Sequence, residues 1–289
     1  MTPECRICKS LNCKTIFFAN SFDNIKDDSI FQYFNCNDCE TIFLNTIPKN
    51  LKKYYGHNYA PYQRNKKVQK HIKKNIEMIR KFKQNCKVLE IGPGNGEFLV
   101  ELAKENYECF ALEPDISSKK FLEENQIKVI NNKLEDLEIN SLKLKVDIVV
   151  AWHVIEHLEN LDIFIKLCEK ILNKDGYIIL STPNTNSISF NLFKSYWYHL
   201  EAPKHLFMIK ERKLDQIMVS KYFQKIKSYK RDYTSIYFSK FGWETSAYYF
   251  AKVKKNKIYS YAGKILSLFM PYVEALFNKT AQYTSVYKK

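Results

Sequence analysis

Residues 88–96 restrict the possible folds of this chain more than any other stretch. An apolar run ends at Glu90, three glycines follow at alternate positions, and a helix-like pattern begins at Glu97. The glycines are Gly92, Gly94 and Gly96. A strand, a glycine turn and a helix in this order form a nucleotide-binding crevice, because glycines let the backbone approach a ligand and the helix N-terminus offers free N–H groups.

The spacing of the glycines narrows the choice of ligand. A dinucleotide-binding turn follows G-x-G-x-x-G, which would need glycine where the chain has Glu97, and a P-loop would need Gly-Lys-Ser/Thr, which the chain lacks. After this turn, strand-like and helical stretches alternate, which predicts a parallel sheet with helices on both faces. The predicted strands are 87–91, 107–112, 127–131, 146–151 and 176–181.

An acidic residue followed by G-x-G-x-G resembles motif I of the class I S-adenosylmethionine-dependent methyltransferases. The resemblance extends over about residues 86–289, and it implies an α/β fold with a Rossmann-like, seven-stranded sheet. In that family the glycine loop wraps the methionine part of the cofactor. The resemblance therefore assigns Glu90 and the three glycines to cofactor binding.

Three later segments match the same family in the same order. Glu113 lies 23 residues after Glu90, at the end of the second strand, where a carboxylate accepts both ribose hydroxyls. Residues 132–136 match the adenine-contacting loop, in which the backbone amide of Glu135 and the acidic side chain of Glu135 or of the next residue would contact the base. Residues 146–158 are similar to the FD-x-I … EHL signature of the ubiquinone-biosynthesis-like branch. Further residues expected to contact the cofactor are Leu134, Trp152 and Tyr59.

The stretch from His153 to His157 also fits H-x-x-E-H, the signature of inverted zinc proteases. On a helix the two histidines would share one face. The stretch begins at the end of a predicted parallel strand, however, and the resemblance already accounts for it. His153 would lie near the transferred methyl group, and Glu156 and His157 would cap and pack the next helix, so we prefer the methyltransferase interpretation.

Four of the eight cysteines form two Cys-x-x-Cys pairs. These are Cys5, Cys8, Cys36 and Cys39. Each short turn aims two thiolates at one point, so two such knuckles can hold a tetrahedral Zn²⁺. The polar N-terminus shows no secretion signal, which disfavours disulfides. We expect one structural zinc ion rather than a redox or disulfide role.

The sequence predicts three regions. Residues 1–48 form a small zinc-binding β domain, 49–85 an aromatic linker and a helix that cover the cofactor site, and 86–289 the Rossmann-like methyltransferase domain. The first region is too short to fold on its core alone, so the metal would supply its stability. No apolar run reaches about 18 residues, so no membrane span is expected. The apolar segment Ile265–Phe277 is predicted to be a helix packed on the core or a dimer face.

Residues 197–207 follow the fifth strand and resemble the W … P-R-H-L-x-x-F segment of methyltransferases found with sugar- and surface-polysaccharide-modifying enzymes. A hydroxyl that accepts a methyl group needs a general base, and histidine titrates near the working pH. His205 is the first candidate, with His199 and His153 behind it. The alternative is a histidine that is hydrogen-bonded to hold the loop.

The sequence thus predicts a cytoplasmic O-methyltransferase that acts on a sugar or phosphorylated glycan intermediate of surface polysaccharide biosynthesis. The net charge of +15 suits a small anionic acceptor, although scattered lysines beside abundant Asn and Ile also indicate a coding bias. The alternative is a zinc-containing RNA-directed methyltransferase or a nucleic-acid-binding protein. Residues 151–154 lack the N/D-P-P-Y/F motif of RNA base methyltransferases, which disfavours nucleic acid. The identity of the acceptor and the oligomeric state stay open.

Overall fold

The structure is a computed structural model that describes residues 3–21, 28–55 and 70–289. The chain divides into two compact units. The first, named here the cysteine unit, comprises residues 1–56, 182–214 and 229–284. The second, named here the sheet unit, comprises residues 57–181, 215–228 and 285–289. The three-region division made from the sequence stays a prediction.

The described residues contain strands and α-helices in the following order. The strands are β1 (Cys13–Asn20), β2 (Ile30–Cys36), β3 (Ile42–Leu44), β4 (Lys87–Ile91), β5 (Glu108–Leu112), β6 (Lys128–Ile130), β7 (Val146–Trp152), β8 (Leu172–Pro183), β9 (Phe207–Met208), β10 (Gln224–Tyr229) and β11 (Gln282–Lys288). The helices are α1 (Lys70–Arg80), α2 (Glu97–Ala103), α3 (Ile116–Glu124), α4 (Leu161–Ile171), α5 (Ile188–Phe193), α6 (Glu211–Ser220), α7 (Tyr233–Val253) and α8 (Ile258–Leu276).

Seven strands form one sheet in the order β10-β11-β8-β7-β4-β5-β6. The five strands β4 to β8 pair in parallel. The chain runs outward from β4 through β5 to β6 and then returns to β7 on the other side of β4. Ligands of open α/β sheets bind at such a reversal, outside the carboxyl ends of the strands. The α/β fold with a seven-stranded sheet, predicted from the sequence, is confirmed.

The central strands carry the core of the sheet unit. Val88 and Leu89 of β4, and every residue from Ile148 to Ala151 in β7, are at most 1% exposed. Continuous apolar burial is typical of parallel strands that are covered on both faces. The helices that follow begin with polar caps. Asp115 accepts a hydrogen bond from the backbone of Ser118 at 2.8 Å to start α3, which fixes the loops at the carboxyl ends of the strands.

The cysteine unit contains a second sheet, with the order β1-β2-β3-β9. Its pairs are antiparallel. The hairpin of β1 and β2 and the short strand β3 after the second knuckle agree with the β structure predicted for this region. The fourth strand was not predicted. Phe43 pairs with Phe207, so the sheet extends from the N-terminal knuckles to the residues that directly follow His205.

Two long helices, α7 and α8, form a hairpin in the cysteine unit. A Cβ on Gly263 would lie 2.0 Å from the Cβ of Ala247, so the two backbones approach closely because both residues are small. The opposite face of α8 exposes large apolar side chains, among them Leu268 and Tyr272, each 63% exposed. No helix in the described ranges is long and apolar enough to cross a membrane.

Candidate functional site

The glycine loop between β4 and α2 has a left-handed backbone at all three glycines. The φ angles are +65° at Gly92, +57° at Gly94 and +79° at Gly96. Residues with a side chain rarely adopt such angles. A Cβ on Gly92 would lie 3.0 Å from a methyl carbon of Val154, and one on Gly96 would lie 2.8 Å from Leu122. The path of this loop therefore requires glycine at both ends.

Glu90 lies in β4, just before the loop, and is 2% exposed. Its Oε2 atom is buried without a hydrogen-bond partner. Burial, and then the charge of Glu113, raise the pKa of Glu90 well above its ordinary value. A buried carboxylate oxygen without a partner is costly. An ammonium group on a ligand would satisfy this oxygen and restore its charge.

Glu113 follows β5 and is held by two backbone groups. Its Oε2 accepts a hydrogen bond from the Gly94 N–H at 3.2 Å, and its Oε1 accepts one from the Asp115 N–H at 2.9 Å. Burial raises the pKa of Glu113 to about 7, although these two hydrogen bonds lower it. Each carboxylate oxygen keeps a second lone pair for a ligand hydroxyl. The structure therefore brings Glu90, Glu113 and the glycine loop together.

The other predicted cofactor residues are placed as follows. Trp152 ends β7 and packs edge-on against Phe98 of α2, with ring centroids 5.7 Å apart, and its buried Nε1 has no hydrogen-bond partner. Leu134 is buried at the start of a 3-10 turn, and the next residue, Glu135, is exposed. Tyr59 lies outside the described residues. A role of these residues in cofactor binding stays a prediction.

His153 directly follows β7 with a φ of +56°. Its N–H donates to the Ser181 carbonyl at 3.0 Å, and its Nδ1 lies 3.3 Å from Oε1 of the fully buried Glu156. A carboxylate beside Nδ1 favours the tautomer with the proton on Nδ1, which leaves Nε2 as an acceptor. The positive charge of His153 also lowers the pKa of His71 on α1, after the larger effect of burial.

The four predicted zinc ligands converge in the cysteine unit. Their sulfur atoms lie within 4.8 Å of one another. The Sγ atoms of Cys5 and Cys39 are 3.6 Å apart, and those of Cys8 and Cys36 are 3.5 Å apart. Four ligands at the usual Zn–S distance of about 2.3 Å, in a tetrahedron, would stand about 3.8 Å apart. The spacing fits a Zn²⁺ ion held by these four thiolates.

The backbone of the two knuckles supports the same interpretation. Lys9 and Glu40, each directly after the second cysteine of its knuckle, have positive φ angles of 63° and 56°. Their N–H groups donate to the carbonyls of Cys5 and Cys36 at 3.0 and 2.9 Å. The thiol of Cys5 also lowers the pKa of Cys39 by hydrogen bonding. The two turns are thus equivalent, and the hydrogen bond between Cys5 and Cys39 favours the thiolate of Cys39 while it raises the pKa of Cys5.

His199 is fully buried among aromatic rings. Its ring stacks on Phe238 with centroids 4.0 Å apart, and Nε2 lies 3.1 Å from the Phe238 carbonyl oxygen. A Cβ on Gly242 would lie 2.4 Å from Nε2, so the ring occupies space that this glycine leaves free. The arrangement favours the loop-holding role that the sequence left open for this histidine.

His205 has a defined tautomer. Its Nδ1 lies 2.8 Å from the His199 carbonyl oxygen, and because a carbonyl can only accept, Nδ1 carries the proton and Nε2 keeps a lone pair. The hydroxyl of Tyr33 in β2 donates to the His205 carbonyl at 3.3 Å. The Leu44 N–H donates to the carbonyl of Leu206 at 2.9 Å. The sheet of the cysteine unit therefore holds the backbone around His205.

A family model described as a methyltransferase domain matches residues 62–226. The chain belongs to this family. The matched region contains the glycine loop, Glu113 and the β7 segment, which are the sequence features that resembled S-adenosylmethionine-dependent methyltransferases. Residues 62–226 are thus an S-adenosylmethionine-dependent methyltransferase domain.

Two curated relatives have names that refer to different methyl acceptors. The chain is 31% identical over 140 residues to the ribosomal RNA small subunit methyltransferase A of Mycoplasmopsis synoviae, covering 47% of this chain and 51% of the relative. It is 31% identical over 133 residues to the ubiquinone biosynthesis O-methyltransferase of Pelagibacter ubique, covering 42% of this chain and 54% of the relative. The chain thus spans about half the length of each of these relatives.

A solved structure shows the same fold. The S-adenosylmethionine-dependent methyltransferase of Archaeoglobus fulgidus superposes with a TM-score of 0.52 at 20% identity, covering 77% of this chain and 95% of the other. At this identity the likeness establishes the fold alone.

Some residues of interest were missed in the sequence. Glu156 was expected to cap or pack a helix, yet it lies beside Nδ1 of His153. The only sequence feature that could have indicated the contact between His153 and Glu156 is their spacing of three residues. Tyr33 lies 172 positions before His205, and no local pattern could have linked the two.

Proposed function

We propose that this protein transfers a methyl group from S-adenosylmethionine to a hydroxyl oxygen of a small anionic sugar or phosphorylated glycan intermediate of surface polysaccharide biosynthesis. The observation that carries the proposal is the position of Glu113. This buried carboxylate is hydrogen-bonded to the N–H of Gly94 in the glycine loop, where it can accept the ribose hydroxyls of the cofactor.

We assign a chemical task to each candidate residue. S-adenosylmethionine supplies an electrophilic methyl group on a sulfonium centre. Glu90 offers its buried Oε2 to the ammonium of the methionine part, and Glu113 orients the ribose. Nε2 of His205 can take the proton of the acceptor hydroxyl, because Nδ1 is already engaged. The protein would otherwise act mainly by aligning the acceptor oxygen with the methyl carbon and the sulfur.

Two observations support an oxygen acceptor. The loop of residues 197–207 carries an imidazole at His205, and histidine is the side chain that most often serves as the general base for an attacking hydroxyl. The Pelagibacter ubique relative is named as an O-methyltransferase. Support for a sugar comes from the likeness of residues 197–207 to sugar-modifying methyltransferases. The proposal includes a cytoplasmic location, where reduced thiols such as those of the knuckles persist.

A second candidate is methylation of RNA, which the Mycoplasmopsis synoviae relative favours. The two candidates are separated by incubating the purified protein with methyl-labelled S-adenosylmethionine and three acceptor fractions. The fractions are nucleotide-sugars and sugar phosphates, hydroxylated quinone precursors, and ribosomal RNA. Label in the sugar fraction supports the proposal. Label in RNA but in no sugar would replace it, and label only in the quinone fraction would retain oxygen methylation but reject the sugar.

The role of Glu113 can be measured by calorimetry with S-adenosylhomocysteine. Glu113→Ala removes a charge-assisted, twofold hydrogen bond and is expected to cost on the order of 2–3 kcal/mol of affinity. Glu108→Ala, at the exposed start of the same strand, should leave the affinity unchanged. Equal affinities for the two variants, or tighter binding of NAD than of S-adenosylhomocysteine, would contradict the assignment of this loop.

The pKa of Glu113 predicts how binding depends on pH. With a pKa of about 7 in the unliganded protein, the carboxyl group takes up a proton as the pH falls through 7. A protonated carboxyl loses part of its acceptor capacity. The affinity for S-adenosylhomocysteine should therefore decrease below pH 7, by up to about tenfold per pH unit. Glu113→Gln should bind weakly at every pH and lose this dependence, and an unchanged pH profile in that variant would exclude Glu113 as its source.

A further inference from the structure

A cavity of about 430 Å³ lies within the cysteine unit. One wall comes from the β1–β3 region. The other comes from the segment that follows β8, from helix α5 with Lys194 just after it, and from Lys210 just after β9. The polar residues of the second wall are Thr185, Asn186, Asn191, Lys194 and Lys210. The volume falls in the range of small-molecule sites, roughly 300–1,000 Å³. None of these residues has a task in the proposed cofactor site.

The two lysines of the cavity are held by amides rather than by carboxylates. Lys210 Nζ donates to Oδ1 of Asn186 at 3.1 Å, and Lys194 Nζ donates to Oδ1 of Asn191 at 3.0 Å. Within the described parts of the chain, neither ammonium has a carboxylate within 4.0 Å. Each ammonium has three donors, so each can bind a ligand oxygen without giving up its asparagine.

The charges of the cavity favour an anion. Burial lowers the pKa of Lys210, the carboxylate of Glu40 on the first wall raises it by a smaller amount, and the positive charge of Lys194 lowers it by the smallest amount of the three. The two ammonium groups therefore repel each other, and one acidic residue leaves the lining with a net positive charge. An anionic group bound between the lysines would relieve this repulsion.

A buried hydroxyl provides a second, independent sign of a ligand. Thr185 is 3% exposed, lines the cavity, and its Oγ1 has no hydrogen-bond partner. Buried polar groups without a partner are rare in folded proteins. Phe17 and Phe190, with ring centroids 6.3 Å apart, add an apolar surface from both walls. Aromatic rings beside a few placed polar groups are typical of sites for small organic ligands.

We propose that this cavity binds a sugar phosphate, with the phosphate between Lys194 and Lys210 and a sugar hydroxyl at Thr185. The choice of a sugar rests on the proposed function, whereas the anion site rests on the lysines alone. The ligand is either the methyl acceptor itself or a separate effector of the same chemistry.

Calorimetry with a hexose 1-phosphate as the probe tests this site. The wild-type protein should bind the hexose 1-phosphate more tightly than inorganic phosphate, and the free hexose least. The double variant Lys194→Met/Lys210→Met keeps the apolar stems and should lose about tenfold or more in affinity. Thr185→Val, which keeps the shape of the side chain, should lose about threefold to tenfold. Glu40→Gln removes the opposing charge and should tighten binding a few-fold.

Lys14→Met, at an exposed position of β1, removes a positive charge from the same unit and serves as the matched control. The proposal is overturned if the wild type binds no phosphate-bearing probe, or if Lys14→Met weakens binding as much as the double variant does. Unchanged melting temperature and S-adenosylhomocysteine affinity in the double variant show that the protein still folds. If the wild-type protein binds S-adenosylhomocysteine but no phosphate-bearing probe, the cavity assignment is rejected and the methyltransferase proposal stands.

Labelled S-adenosylmethionine distinguishes the two sources of the ligand. Transfer of label to the bound hexose phosphate, abolished in the double variant, identifies the cavity as part of the acceptor site. Binding without transfer identifies an effector site. Both results support a sugar phosphate in this cavity, whereas transfer that is unchanged in the double variant contradicts it.

Discussion

Replacing His205 with asparagine is expected to lower kcat by roughly 10²-fold or more, with the affinity for S-adenosylmethionine nearly unchanged. The asparagine amide can still donate to the His199 carbonyl, as Nδ1 of His205 does at 2.8 Å, but it has no basic nitrogen in place of Nε2. The variant therefore removes the proton acceptor and keeps the hydrogen bond that holds the loop. Single-turnover kinetics with saturating acceptor measure the effect on the chemical step.

His199 and His153 provide the comparison for this experiment. His199→Asn should lower the melting temperature more than kcat, because the ring fills a buried space beside Phe238. His153→Asn tests the rival base, whose Nδ1 lies 3.3 Å from Glu156. A loss below about threefold for His205→Asn, together with a large loss for His153→Asn, would assign the general base to His153 and leave His205 with a structural role.

Loss of the metal from the knuckles is expected to have the largest effect on the cysteine unit. The double variant Cys5→Ser/Cys36→Ser should reduce the zinc content from one ion per chain to near zero. Structural zinc contributes on the order of 10 kcal/mol to the folding of small knuckles, so β1 to β3 should lose their protection against hydrogen exchange. Because β3 pairs with β9 next to His205, kcat should also fall by tenfold or more.

S-adenosylhomocysteine affinity separates this effect from global unfolding. Glu90, Glu113 and the glycine loop belong to the sheet unit, so cofactor binding should survive the loss of zinc. Cys13→Ala is the matched control, since Cys13 pairs with Cys36 in the sheet but is outside the four-sulfur cluster. Zinc near zero in the reduced wild-type protein, or one ion per chain in the double cysteine variant, would show that these thiols do not form the site.

The features predicted correctly are those that short stretches of sequence encode. The glycine loop could be predicted from the sequence because its three positive φ angles favour glycine at each of these positions. The strands β4 and β7 could be predicted from their apolar runs, because parallel strands are buried on both faces. The two cysteine knuckles could be predicted because the local geometry of a Cys-x-x-Cys turn alone brings its two thiols together.

The features that were missed depend on distant pairs of residues. Strand β9 has two residues, too few to show a pattern, and it exists because β3 offers an edge to pair with. The cavity combines Lys194 and Lys210 with strands near the N-terminus. No spacing pattern in the sequence could have predicted that these residues lie together. The hairpin of α7 and α8 was predicted only in part, as a helix over Ile265–Phe277, because the contact between the two helices depends on small residues such as Gly263 and Ala247.

The pairing of Phe43 with Phe207 also has a consequence for synthesis on the ribosome. The two residues are 164 positions apart. At a synthesis rate of about 5–20 residues per second, roughly 8–33 s pass between the synthesis of β3 and that of β9, the fourth strand of this sheet. During that interval the edge of β3 is open to pairing with other chains. The edge of β3 is therefore closed long after β1 and β2, which can pair as soon as the first 36 residues have emerged.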